Sequence, residues 1–573
     1  MHTMPRSARS TMTFALHVLL LTLVLAVPCA EARSGGPAGK PRVRSLSPRL
    51  AAARDLGPAP AEAPTTVLVS LALRGRTALE RFLQDVQDPT SPRYHRYLEQ
   101  RRFVAHHAPT VKQEQAVIAY LEQHGFRITY RATNRLLVGA EGSVAATEQA
   151  FGARLHDVVV GGEVRRAALE EPTVPADLAD YVVGILGLGD AGDMKSHLKP
   201  HPASRQAPGD ACCAFGPPEL ARFYDSATGY DGRGQTIAIV GLYAWSPADV
   251  SAFDRLFGLP PLPAGSTQIC TGSSARAAGC AYSPGLSAEV SLDVEYAHAT
   301  APRAKIINYM AASPTYGDFA VLYNTVVAGG GRRAARSARG SAGWVVTTSF
   351  GTCESTVPDA WLATYDNILA NANAIGQSWF AASGDYGSRD CNDVPSVDFP
   401  ASSPHVVGVG GTTPMCDNPA TCDRYGYETA WSGSGGGRSK FFARPAFQHG
   451  CGVPEGSHRL VPDVALASDP LPGIFYRHAG AWHVTGGTSA AAPQWAGFFA
   501  QLNQRASQRG LRAGRDSGGD GAGNPAARLY ALCGSDVFHD VLEGDNGDYQ
   551  ATPGYDMTTG LGSVDVSSLL TQY

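Results

Sequence analysis

A run of small residues near the C-terminal end, Thr485-Gly486-Gly487-Thr488-Ser489-Ala490-Ala491-Ala492-Pro493, places one serine at the start of an apolar segment, 494–502, that reads as a largely buried helix. A hydroxyl at a helix N-terminus lies beside backbone N–H groups that lack intrahelical partners, in a field that favours negative charge. Acyl transfer needs such a place, because its transition state puts charge on an oxygen that donors must stabilise. An N-cap serine in an ordinary helix looks the same in isolation. The meaning of Ser489 therefore depends on what could take its proton.

The usual base is histidine, but no H-G-T motif followed by small apolar residues occurs. His124-Gly125-Phe126 lies in a different part of the chain, and His449-Gly450-Cys451 does not fit. Carboxylates offer an alternative. The segment 286–300 reads as a helix stopped by Pro302, and on it Glu289 and Asp293 are four residues apart. That spacing stacks two acids on one face with no basic residue a turn away, so one pKa must rise and the pair can share a proton. A third acid, Asp385, closes a strand inside Ala381-Ala382-Ser383-Gly384-Asp385-Tyr386-Gly387-Ser388. An ionised Asp385 would repel an oxyanion, whereas a protonated one would donate to it, which confines the chemistry to low pH. Two solvated helix acids and a turn acid bonding its own backbone are the structural alternatives.

The elements that must hold these residues are an α/β array. Apolar strands at 235–242, 304–310, 344–350, 379–383 and 406–410 alternate with helical patterns, including 247–257 begun by Ser246. This predicts a mostly parallel sheet with helices on both faces and a site at the carboxyl ends of the strands. Before it, strands at 66–73, 127–130, 135–140 and 153–156 with helices at 77–87, 113–124 and 143–151 predict a small α+β domain of split β-α-β, ferredoxin-like type that gathers no catalytic residue types. The segment 187–215 is rich in Gly, Pro, His and Lys, lacks a hydrophobic period and reads as an exposed linker. An Arg-rich stretch, 329–340, reads as a solvated loop. The expected domains are thus 1–32, 33–186, 187–215 and 216–573.

With 573 residues the chain exceeds one ordinary core, and a formal net charge of −4 gives no sign of nucleic-acid binding. Arg6 and Arg9, an apolar run at 14–27 and Ala30-Glu31-Ala32 have the order of a secretory signal, with cleavage expected after Ala32, and the run is short for a membrane span. Removal of this leader takes Cys29 and leaves ten of the 11 cysteines, an even number suited to an oxidising compartment. Cys270/Cys280 and Cys416/Cys422 are close enough for local disulfides; Cys212, Cys213, Cys353, Cys391, Cys451 and Cys533 cannot be paired from sequence. A small domain between a signal and a hydrolase suggests a propeptide, with an extra binding domain as the alternative.

Together these residues resemble the sedolisins, serine-carboxyl peptidases that include the kumamolisins and tripeptidyl-peptidases and share a subtilisin-like fold. Family-like segments run in order from Asp88-Pro89-Thr90-Ser91-Pro92-Arg93-Tyr94-His95 through Glu289/Asp293, Asp385, Gly435-Gly436-Gly437-Arg438-Ser439 and Val461-Pro462-Asp463-Val464 to Ser489. The resemblance implies Ser489 as nucleophile, Glu289 as general base and acid, Asp293 as the carboxylate that orients it, and Asp385 as oxyanion donor. It implies that Ser349-Phe350-Gly351 is a substrate strand pairing with peptide backbone. Kumamolisins carry a glutamate after the first strand and a tryptophan before the glycine of the substrate strand, places that align here with Gly241 and Phe350.

The tail segments Phe538-His539-Asp540-Val541 and Gly554-Tyr555-Asp556-Met557-Thr558-Thr559-Gly560-Leu561-Gly562 resemble the family's calcium loop. One structural calcium would take carboxylate oxygens from Asp540 and Asp556 and backbone carbonyls from Val541, Thr552 and Gly554, a hard-oxygen set. The family usually has glycine at Thr552, so a positive φ there would be costly. Asp545 and Asp548 are expected as solvated loop acids. The implied protein is a secreted, monomeric acid-acting proenzyme, without membrane or nucleic-acid partners, that cleaves proteins or peptides and carries its own propeptide as intramolecular inhibitor and chaperone. Its rivals are a neutral subtilisin-type protease using His298, His478 or His483, and a secreted non-catalytic binding or inhibitory pseudopeptidase.

Overall fold

The alternation of side chains along the first apolar strand decides how the large domain is built. On Thr236–Gly241, Ile237 and Ile239 enter one core while Ala238 and Val240 enter another, so the strand is buried on both faces. The computed structural model describes residues 42–189, 192–201, 214–271, 278–329, 345–391, 394–418, 424–509 and 521–573. The expected leader at 1–32, all but Gly329 of the Arg-rich loop, and Cys212, Cys213 and Cys422 lie outside these residues. No described helix is long and apolar enough to cross a membrane.

The large sheet has eight strands. Along its main path they run Thr267–Thr271, Lys305–Ala311, Thr236–Gly241, Val345–Thr348, Ser378–Ala382, Val407–Cys416 and Tyr425–Ala430, and Val464–Ala467 also pairs with Val407–Cys416. Every pairing is parallel except that of Tyr425–Ala430. Helices Pro247–Phe257, Ala288–Thr300 and Thr488–Gln508 contribute to the core on one face, and Tyr316–Val327 and Asp359–Ala374 to that on the other. The expected strand at 344–350 is broken. Val345–Thr348 stays in the sheet, and Phe350–Cys353 leaves it to pair antiparallel with Asp398–Phe399 and Lys195–Ser196.

Ahead of this domain, the four-stranded sheet has the order Arg127–Arg131, Leu137–Ser143, Pro64–Leu71, Val182–Leu186, all antiparallel. That is the ferredoxin-like order expected from a split β-α-β unit. Helix Gln100–His106 and strands Arg54–Pro58, Glu163–Ala168 and Val182–Leu186 were not anticipated from sequence; all are short. The small domain has its own core but also shares one with helices 316–327 and 359–374, to which it contributes Leu68, Leu79, Phe103 and Leu186. Polar groups fix that contact: Arg76 pairs with Asp366 at 2.6 Å, and Asn134 donates to Asn324 at 2.7 Å and to Asn371 at 3.2 Å.

One glycine matters to the site. Gly497 lies within Thr488–Gln508, where a Cβ would meet Thr300 Cβ at 2.5 Å and Cγ2 at 2.6 Å, so its absence lets this helix press against Ala288–Thr300. Alanine would recover about 1 kcal/mol of helix propensity, but the clash is with a β-branched side chain and costs roughly 1–3 kcal/mol. Gly497→Ala is therefore expected to lower the unfolding midpoint and to reduce any activity that depends on the two helices staying close. A midpoint at or above that of the parent would show that the interface gives way freely.

Candidate active site

Ser489 occupies the first turn of helix Thr488–Gln508, whose N-cap Gly487 has φ 104°. Pro493, four residues on, has no N–H to offer the Ser489 carbonyl, so the backbone around the serine is only partly tied into the helix. The Ser489 side chain is fully buried, and its Oγ donates to Glu289 Oε2 at 3.0 Å. Glu289 sits in the first turn of Ala288–Thr300, and every residue from it to His298 is buried. The uniformly buried helix explains why polar residue types are tolerated on it only where partners exist.

Glu289 and Asp293 are 2% and 1% exposed. Burial, and then the neighbouring Asp293, hold the Glu289 carboxyl well above its usual range, and burial pushes Asp293 up to about 7. Ser349 Oγ donates to Asp293 Oδ1 at 2.6 Å and opposes the rise. Glu289 Oε1 and Asp293 Oδ2 are buried and have no hydrogen-bond partner among the described residues. A proton held by the pair satisfies a group that would otherwise be an isolated buried charge.

Asp385, 3% exposed, is placed just beyond strand Ser378–Ala382. Its Oδ1 accepts from the Thr488 N–H at 2.8 Å and the Thr488 Oγ1 at 2.9 Å, while Oδ2 is buried without a partner. Burial raises this carboxyl to about 7 against the lowering pull of both Thr488 groups. With Oδ1 fully engaged as an acceptor, Oδ2 is the atom that would carry the proton. It faces Gly487: a Cβ there would lie 2.6 Å from Asp385 Oδ2 and 2.2 Å from the His197 carbonyl oxygen. Thr488 was absent from the sequence-based site; its adjacency to Ser489 was the only signal.

The segment expected as an exposed linker is corrected by the structure for residues 195–200, which run through the cleft. Lys195 and Ser196 pair antiparallel with Gly351 and Phe350, the His197 N–H donates to the Ser349 carbonyl at 3.0 Å, and Lys199 and Pro200 pair antiparallel with Gly486 and Thr485. His197 is 5% exposed, and Ser196 Oγ donates to Glu289 Oε2. A segment without a hydrophobic period can still be ordered when its backbone completes two strand edges. Ser349, Phe350 and Gly351 thus supply one of the two edges, and Ser349 also engages Asp293. The disulfide Cys353–Cys391 ties that strand to the loop that follows Asp385. Cys270–Cys280 forms as one of the two local pairs, and Cys451–Cys533 joins two cysteines that sequence left unpaired.

Gly241 and Phe350 turn out to be neighbours. A Cβ on Gly241 would meet Phe350 Cε2 at 2.7 Å and Cδ2 at 2.8 Å, so the ring fills the space that a side chain at 241 would need. Of the histidines that could have served a subtilisin-type site, His298 contacts the Pro260 carbonyl at 2.8 Å, His478 contacts Ser291 Oγ and the Pro284 carbonyl, and His483 faces the His478 carbonyl.

In the tail, Asp540 Oδ2 accepts from the Gly554 N–H at 2.9 Å, and Asp556 accepts from the N–H groups of Thr558 at 2.8 Å, Thr559 at 2.7 Å and Thr552 at 3.3 Å. Both acids are therefore gathered on one turn, and neither forms an ion pair with a basic side chain among the described residues. Val541 is buried, Gly554 has φ 81°, and Thr552 is outside the left-handed region, so its branched side chain carries no backbone penalty. Carboxylate and carbonyl oxygens are the donors of a hard cation, and in kind this set fits calcium. Asp548 is exposed, as expected, but not unpartnered: it accepts from Ser388 at 2.6 Å and from Arg389 at 2.8 and 2.7 Å, which holds its carboxyl down at about 2 and clamps the loop after Asp385.

Residues 51–191 match the activation-domain family of pro-kumamolisin. The chain is 30% identical over 538 residues to sedolisin of Pseudomonas sp. (strain 101), covering 88% of this chain and 86% of that protein. It is equally 30% identical over 538 residues to kumamolisin of Bacillus sp. (strain MN-32), covering 89% and 91%. The solved structure of Pseudomonas sedolisin complexed with two molecules of pseudo-iodotyrostatin superposes with a TM-score of 0.53 at 27% identity, over 63% of this chain and 98% of that one. A subtilisin-like α/β domain, an N-terminal activation domain and these relatives together establish that the chain belongs to the sedolisin family of serine-carboxyl peptidases.

Proposed function

We propose that the chain is a secreted proenzyme that matures itself in acid and then hydrolyses peptide bonds in proteins through an acyl-enzyme on Ser489. The observation that carries this reading is the Ser489 hydroxyl donating to Glu289 in a site whose buried acids are raised above their usual range by burial. Glu289 takes the proton as Oγ attacks the carbonyl carbon and returns it to the departing amine; water then repeats the sequence to release the acid. Asp293, held by Ser349, keeps the second carboxyl of the pair in place. Asp385 donates from Oδ2 to the developing oxyanion. The activation domain serves as intramolecular inhibitor and folding aid, and the mature enzyme acts as a monomer on protein or peptide substrates. Among the neutral-protease candidates, His298 and His478 already have partners away from Ser489.

Ser489→Ala is expected to abolish both maturation in acid and turnover of casein, by roughly 10⁴-fold or more, with the fold intact by circular dichroism. Maturation of this variant in pure preparations would remove Ser489 from its role.

Asp385 gives a sharper test. A carboxyl near 7 in the folded protein and near 3.8 when unfolded stabilises the fold below about 4, and that contribution is lost as pH rises through 7; the oxyanion donor disappears over the same upper range. Asp385→Asn supplies a donor that does not titrate, and the Thr488 N–H orients it, since the amide oxygen must face Thr488 and the NH2 the oxyanion. This variant should keep measurable turnover and a displaced upper limb of the pH–rate profile, whereas Asp385→Ala should lose about 10²–10³-fold in acid, where the parent carboxyl holds its proton. Identical profiles for parent and asparagine variant would exclude a protonated Asp385.

One calcium bound by Asp540, Asp556 and the carbonyls of Val541, Thr552 and Gly554 would supply positive charge that joins two loop segments. Calcium should raise the unfolding temperature in proportion to the logarithm of its concentration above Kd, with Asp540→Asn abolishing the dependence. A parent melting temperature indifferent to both calcium and chelator would refute the site.

A further inference from the structure

Within the exposed run 542–548, Asn546 alone is buried, at 3% exposed. Its Oδ1 accepts from the Tyr549 N–H at 3.3 Å, which closes a local turn, but both amide hydrogens leave that turn: Nδ2 donates to the Ser434 carbonyl at 3.0 Å and to the Met557 carbonyl at 3.2 Å. One side chain thus joins three segments, 432–436, 546–549 and 556–558. Gly436 makes room for it, since a Cβ there would lie 2.0 Å from the Met557 carbonyl oxygen and 3.0 Å from Asn546 Nδ2.

Two of those segments carry the loop that holds Asp385. On one side of the acid, the Gly435 N–H donates to the Gly384 carbonyl at 2.9 Å and Ser383 Oγ donates to the Gly435 carbonyl at 2.7 Å. On the other side, the Gly387 N–H donates to the Gly433 carbonyl and the Ser388 N–H to the Asn546 carbonyl, both at 2.9 Å. These contacts leave no slack. A Cβ on Gly435 would lie 2.1 Å from the Ser383 carbonyl oxygen, and one on Gly387 would lie 2.4 Å from that of Asn546. Backbone packed this closely moves with whatever supports it. Ser434 Oγ ties its segment to the Thr558 carbonyl at 2.7 Å, and the Asn546 amide joins the same segment to the stretch beneath Ser388.

We propose that Asn546 is a positioning residue for Asp385: by keeping the two supports of that loop in register, it fixes the place from which Oδ2 meets the oxyanion. This rests on the reading of Asp385 as oxyanion donor. An amide suits the task because two carbonyls face it and it offers two neutral donors, whereas a carboxylate offers none and alanine leaves both carbonyls without them. Oxyanion stabilisation is steep in geometry, since the donor must stand about 2.7–3.1 Å from the developing charge. A displacement of about 1 Å costs roughly 10²-fold in rate. Asn546 acts through Asp385, so its loss falls on the chemical step and leaves substrate binding alone.

The test is a double-mutant cycle in the matured enzyme, with Asn546→Ala and Asp385→Ala singly and together. It reads kcat and KM on one casein-derived peptide in acid, with circular dichroism and the melting temperature beside them. Asn546→Ala should lower kcat roughly 10- to 100-fold and keep KM within about twofold. In the Asp385→Ala background the same change should cost less than about threefold. Asn546→Asp, which has the same shape and keeps one donor while protonated, takes the place of the alanine variant in the cycle if that variant does not fold. An unchanged kcat, an effect on KM alone, or an equal fold-loss in both backgrounds overturns this inference; the last is what a general loosening of the fold would produce. Should Asp385→Ala itself leave kcat intact, the oxyanion reading fails instead.

Discussion

The structure depends on accommodating carboxyls that water cannot reach, which burial raises above their usual range. Glu289, Asp293 and Asp385 are each no more than 3% exposed, within one site where, among the described residues, Ser489 Oγ bonds to Glu289 and to no histidine. An isolated buried carboxylate is among the costliest groups a fold can hold. The chain meets this cost by pairing two of the acids a helical turn apart and by giving the third two donors on one oxygen only. The arrangement that makes the acids tolerable is the one that makes them chemically useful, because a carboxyl forced to stay protonated is a donor, and a pair sharing one proton can both take and return one.

Much of the remaining architecture serves to hold that arrangement closed. The parallel sheet delivers Asp385 at the carboxyl end of Ser378–Ala382, and Val345–Thr348 ends where Ser349 begins its contact with Asp293. Gly497 lets the serine helix press on the acid helix, Cys353–Cys391 joins the two walls of the cleft, and the Asp548–Arg389 pair fastens the loop after Asp385. That last pair is partly exposed and contributes by geometry more than by energy.

Sequence revealed most where side-chain period and motif coincided. The strands of the parallel sheet, the helix with Glu289 and Asp293, and the ferredoxin-like type of the small domain follow from apolar runs and spacing, although the strand that completes the four-stranded sheet, Val182–Leu186, was missed and the expected strand at 153–156 pairs in another sheet. The break at Ser349 was hidden, because Val345 to Phe350 is apolar enough to continue as one strand and only the pairing of Phe350–Cys353 with other strands ends it. The order of residues 195–200 was hidden for a related reason: that segment is held by backbone groups, which every residue type offers, and by one imidazole. Thr488 was passed over beside a more conspicuous serine. Asp548 looked like any loop acid until the chain brought Arg389, 159 residues away in sequence, against it.

The two departures from kumamolisins, Gly241 and Phe350, reduce to one physical event. The Phe350 ring occupies the place of a side chain at 241, so an acidic side chain could return there only if the ring were displaced, and a larger ring at 350 would need still more of the same space. The positions must therefore change together. Phe350 offers no hydrogen-bonding atom and is buried, so a chain of acids reaching outward from Asp293 by this route has no next member. Its place is taken by Ser349, whose hydroxyl gives Asp293 a neutral donor. A donor to one oxygen lowers the Asp293 carboxyl without adding a charge, and leaves the other oxygen free of partners among the described residues. The site thus keeps its central pair while dispensing with a second buried acid beyond it, and the fold has one fewer desolvated carboxyl to accommodate.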